Sequence, residues 1–144
     1  MDNSHLFKDA MRAIALGRPS EDLVEKIPEE DMDEWETYTA AVFAGVIEQT
    51  LPEEPGLEAI RDFAEETRSR FEDPDMPFPS LVLEGLIRIM AGEDHLLEQI
   101  DPEIQIEVSL LTIHRVAIDD DQVNANLEDY LDKAIARAEE WLAV

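Results

Sequence analysis

The chain has 144 residues, 44% of them hydrophobic, which suits one ordinary globular domain. It has no cysteine, so disulfides, thiolate catalysis and cysteine-bound metals are excluded. Thirty-six acidic residues against 11 basic ones give a net charge of −25. Such a surface repels phosphate backbones and anionic lipid, so direct nucleic-acid or membrane binding is not expected. It favours basic partners. No apolar run approaches the ~18 residues of a membrane span, and the start, "MDNSHLFKDAMR", lacks a leader pattern. A cytoplasmic protein is the expectation.

Strand signals are nearly absent, and helix punctuation is dense. Leu6, Phe7, Ala10, Met11 and Ile14 follow helical spacing until Gly17 and Pro19. Ser20 is placed to cap a short helix that Pro28 ends. Asp31 and Glu34 stand at capping-box spacing before Trp35, Thr39, Val42, Val46 and Ile47. Pro52 closes that helix, and Pro55 opens one carrying Ile60, Phe63, Ala64 and Phe71. The proline-rich stretch "EDPDMPFPS" cannot be helix interior, and residues 72–79 read as a linker.

Helical order then restarts. Ser80 is placed as a cap before Leu81, Val82, Leu86, Ile87 and Ile89, and Gly92 stops them. A short segment follows to Ile100. Asp101-Pro102 pairs a cap with a first-position proline, opening a helix to about Ile118. Residues 104–118 are apolar on nearly every face, which predicts a central, buried helix and a second half that supplies more core. Asp119–Asp121 predict the cap of one last helix. Its stripe runs Leu127, Leu131, Ala134, Ala138 and on to Trp141 and Leu142, predicted to pack on the core.

The expected fold is all-α, a compact bundle of about eight helices. Each half reads long, short, long, long. A shift of 75 superposes Leu6 on Leu81, Met11 on Leu86, Ile14 on Ile89 and Gly17 on Gly92. Residues 4–71 and 80–143 are therefore expected to be related halves of one domain.

Few motifs carry chemistry. Eight acid pairs stand three residues apart, but at this acid content about that many arise by chance on neighbouring helix positions. "DDDQVNANLEDY" lacks the glycine and glutamate of a calcium loop. His5, His95 and His114 have no metal-ligand spacing, and the isolated glycines form no phosphate loop. No catalytic residue, metal or cofactor is assigned. His114 and Arg115 interrupt the apolar helix, which predicts an exposed or capped edge of that helix with Arg115 reaching an acid; the alternative is a buried polar pair lining a pocket.

The remaining candidate is "EEDMDEWE", residues 29–36. Asp31 and Glu34 suffice for the helix start. Glu29, Glu30, Asp33 and Glu36 are in excess, and the second half reads "DPEIQIE" at the matching place, without that charge. These four are the expected contact for a basic protein. The function expected is a non-enzymatic acidic interaction module of inhibitor, immunity or DNA-mimic type. The alternatives are a small-ligand binder or metal-dependent enzyme with a pocket between the halves, and a helical homodimer whose acidity is adaptation to salt.

Overall fold

Apolar residues recurring every three or four positions dominate the chain, and the computed structural model places them on eight α-helices. It describes residues 3–71, 73, 75 and 78–143. The helices are α1 (Ser4–Ala15), α2 (Glu21–Glu25), α3 (Met32–Thr50), α4 (Leu57–Arg70), α5 (Ser80–Met90), α6 (Pro102–Asp119), α7 (Asp121–Ala125) and α8 (Leu127–Leu142). Two 3-10 turns, Glu29–Asp31 and Asp94–Gln99, precede α3 and α6, and there is no strand among the described residues. Part of the expected 72–79 linker lies outside the described residues. Within it, Phe78 is buried and stacks on Phe71 with ring centroids 5.7 Å apart.

Helix starts follow the sequence unevenly. Asp101 caps α6 as expected, accepting a hydrogen bond from the Glu103 amide at 2.9 Å, with Pro102 in the first turn. Asp31 occupies the cap position of α3, but its carboxylate accepts from the Asn3 side-chain amide instead of an α3 amide. Ser80 begins α5 rather than capping it, and its hydroxyl donates to Glu65 at 3.1 Å. The single last helix is in fact two. Asp120 caps α7 through the amides of Gln122 and Val123, at 2.9 and 3.1 Å. Asn126 ends it, donating its side-chain amide to the Gln122 carbonyl at 2.9 Å. The same carbonyl also accepts the Asn126 backbone amide at 3.1 Å, so backbone and side chain of one residue close the last turn of α7.

The turns after α1 and α5 share one geometry. Gly17 and Gly92 both have positive φ, +70° and +108°. The Arg18 amide donates to the Ala13 carbonyl at 2.8 Å and Gly17 to Ile14 at 3.2 Å; Glu93 donates to Arg88 and Gly92 to Ile89, both at 3.0 Å. Each set is a Schellman ending, in which a residue in left-handed conformation lets two amides reach back to orphaned carbonyls. At Gly17 a second constraint applies. A Cβ there would stand 2.9 Å from the His114 ring, whose Nδ1 donates to the Ala15 carbonyl at 3.0 Å. His114 is thus part of the ending of α1, a role in another helix that the sequence did not indicate.

The packing interleaves the halves. Helix α8 lies on α3 and α1, whereas α4 lies on α5 and α6, and α3 crosses α6. The most deeply buried helix is α3 rather than α6. Nine α3 residues are buried, from Trp35 to Ile47, against six on α6. Helix α3 packs most extensively on α8 and α6, whereas α6 spreads its contacts over α1, α3, α4, α5 and α7. Helix α6 leaves Ile104 and Ile118 exposed, at 41% and 45%. The first half consequently supplies the larger share of the core, the reverse of the expectation. Trp141 and Leu142 are also exposed, at 46% and 41%, so Ala138 is the last buried residue of α8.

Phe7, Trp35 and Tyr38 form an aromatic cluster with centroids 5.8–6.1 Å apart. The Tyr38 hydroxyl there is buried without a hydrogen-bond partner, and burial raises its pKa well above the ordinary tyrosine value. Buried Thr39, Thr67 and Thr112 avoid that cost by donating to the carbonyls of Trp35, Phe63 and Val108.

Candidate functional site

Opposite charges are paired unevenly over the surface. Among the described residues, six ion pairs join a residue before the proline-rich stretch to one after it: Lys8–Asp132, Arg12–Glu128, Arg61–Glu84, Arg70–Asp119, Arg115–Glu66 and Arg137–Glu48. Arg115 also packs 5.0 Å over the Phe63 ring and pairs with Asp119. Three cations, Arg68, Arg88 and Lys133, have partners within their own helix or the adjoining turn. The Arg88 fork grips Glu93 through two bonds of 2.7 Å and holds its carboxyl below the ordinary glutamate value. Nine of the 11 basic residues are thereby engaged, and among the described residues none of these pairs reaches a carboxylate between Glu21 and Glu36.

That interval holds nine carboxylates. Glu29 and Glu30 are exposed on the 3-10 turn, and Asp33 and Glu36 are exposed in the first turns of α3. The turn exists because Pro28 cannot continue α2, while its carbonyl accepts the Asp31 amide at 2.9 Å. Met32 packs against the core and Trp35 is buried, as their spacing requires, which leaves Asp33 exposed between them and Glu34 half-buried.

Asp33 and Glu36 also line a groove of about 920 Å³ formed by α3, α5, α6 and α8. Its α3 wall is Asp33, Glu36, Thr37, Ala40, Ala44 and Glu48, one face of the helix. Phe43, Leu86 and Ser109 are buried in its floor, and half-exposed Met90 and Trp141 stand at its edges with Ile89 and Ile106. Its two ends differ in charge. Glu48 is neutralised by Arg137, which donates to both its oxygens at 2.8 and 3.2 Å and stands 5.9 Å from the Trp141 ring. Asp33 and Glu36 have no such cation. Glu29 and Glu30 do not line the groove.

Sequence reasoning found the acids and raised a pocket between the halves as an alternative, but not the residues that line it. Four separate helices build it, and no window of sequence contains them. The one available signal was the apolar surplus of α6 beyond its buried stripe, Ile106 included. Among the described residues, no group of three or more histidine, aspartate or glutamate side chains is placed to hold a metal ion. No described helix is long and apolar enough to cross a membrane. Comparison with protein-family models, curated proteins and solved structures finds no match to this chain.

Proposed function

We propose that the protein is a non-enzymatic, acidic interaction module that engages a basic protein surface through Glu29, Glu30, Asp33 and Glu36. The observation carrying this reading is the uneven neutralisation of charge. Cations staple the two halves together, while the run from Glu21 to Glu36, denser in acids than the other unpaired stretches at 53–62 and 98–107, keeps its charge. Like charges held close repel, so a partner rich in Arg or Lys gains from meeting them. Association would be fast and salt-sensitive. The test is retrieval of partners from native lysate at low and high salt, by the wild type and by a variant carrying Glu29→Lys, Glu30→Lys, Asp33→Lys and Glu36→Lys. A partner held by the folded wild type and lost by the folded variant supports the reading. Retention of every partner overturns it.

Residues 4–71 and 80–143 we read as two copies of one structural unit within a single domain. The matching glycine endings of α1 and α5 support this, as does the succession of a long helix, a short helical segment and a long helix at the start of each; short α7 has no counterpart in the first half. Each unit's last helix lies on the other unit, so neither half alone is expected to fold.

A further inference from the structure

From the shape and charge of the groove, we infer that its occupant is a basic amphipathic helix of another protein, laid along α3. This rests on the interaction reading above and names the partner's form. From Asp33 to Glu48 the α3 wall is about 22 Å long at ~1.5 Å per residue, enough to lie against about four turns of a second helix. Its middle is Thr37, Ala40 and Ala44, whose small side chains let another backbone approach. Met90, Ile106 and Trp141 at the sides offer apolar surface already in water, so covering it is favourable without unfolding anything. A docked helix thus needs one apolar face, read as residues three or four apart.

The charge at the ends sets the rest. Arg137 already satisfies Glu48, so that end has no need of a cation. Asp33 and Glu36 are free of any such pair and lie beside Glu29 and Glu30 in the chain. The docked helix therefore carries its Lys or Arg residues at the end over Asp33 and Glu36. A second copy of this chain is a poor occupant, because it brings a net charge of −25 to a surface of the same sign.

A synthetic, fluorescein-labelled peptide of about four helical turns tests this. It carries leucines at helical spacing and lysines grouped at one end, and its control has the same composition scrambled. Anisotropy gives both affinities, and tryptophan emission reports on the groove, since Trp35 is buried and Trp141 is not. The patterned peptide should bind at least tenfold tighter than the scrambled one and shift Trp141 emission to the blue. Ala40→Phe, at an exposed position in the groove, should weaken the patterned peptide at least tenfold with an unchanged circular dichroism spectrum. Trp141→Ala, which narrows the apolar wall without filling the groove, should weaken it in the same direction.

If both peptides bind alike and only the four-lysine variant loses them, the groove proposal fails and the acidic-module reading stands. If neither peptide binds, the groove proposal fails. The lysate experiment then decides the module separately. If the protein instead self-associates and Ala40→Phe prevents it, the occupant is a second copy and the proposal is wrong.

Discussion

Replacing Gly17 by alanine tests the best-defined local constraint in the fold. Three terms contribute. Holding an L-residue near φ +70° costs about 1–2 kcal/mol. The stiffer unfolded chain returns about 0.4–1 kcal/mol. The new Cβ would sit 2.9 Å from the His114 ring, closer than side-chain contacts allow, so the ring must move. Moving it strains or breaks the 3.0 Å bond to the Ala15 carbonyl, worth about 0.5–1.5 kcal/mol. The sum is about 2 kcal/mol, or a fall in Tm of about 4–8 °C for a chain of this size. Gly92→Ala is the control: its φ is also positive, but nothing lies within 4 Å of the added Cβ. Urea denaturation followed by circular dichroism should show His114→Ala costing less in the Gly17→Ala background than in the wild type. In the Gly92→Ala background its full cost should remain. A double-mutant cycle isolates that coupling. Strict additivity at Gly17 would mean that the ring does not meet the glycine, and would refute the account of the α1 ending.

Tyr38→Phe removes a buried hydroxyl that has no partner, so thermal melts at neutral pH should show it at least as stable as the wild type, by up to about 1–3 kcal/mol. Because burial raises the folded-state pKa of Tyr38, its contribution is whole below the unfolded tyrosine value. It is lost as pH climbs from there toward the folded value, so the advantage of Tyr38→Phe should widen in melts above about pH 10. Glu93 has the opposite sign. Arg88 depresses its pKa, so its contribution is present above the ordinary glutamate range and lost as pH falls through the folded value; Glu93→Gln should flatten that part of a stability-versus-pH curve. Leu131→Ala, at a fully buried site, should cost about 2–5 kcal/mol in urea denaturation, and Trp141→Ala, at a half-exposed site, less than half as much as Leu131→Ala. Raising salt from about 0.05 to 0.5 M should raise Tm, because screening weakens self-repulsion of the net charge.

The sequence by itself determined which segments are helical, and where most of them stop. Gly17, Pro28, Gly92 and the Asp101-Pro102 pair act through their own backbone and immediate neighbours, so their effect is legible without knowing what they pack against. The exposed acids of residues 29–36 are legible for the same reason: fixing Met32 and Trp35 inward leaves Asp33 between them exposed. Other features are non-local and were decided only by tertiary structure. Helix α3 buries nine residues and α6 only six, although the two are about equally apolar and α6 touches more helices. Trp141 continues an apolar stripe, yet it stands at the edge of a groove, because the helices around the end of α8 do not close over it. The Asp31 carboxylate is drawn to Asn3, 28 residues away, in place of its own helix amides. Each of these outcomes depends on which side chain another helix brings close, and the periodicity of a single helix carries no information about its neighbours.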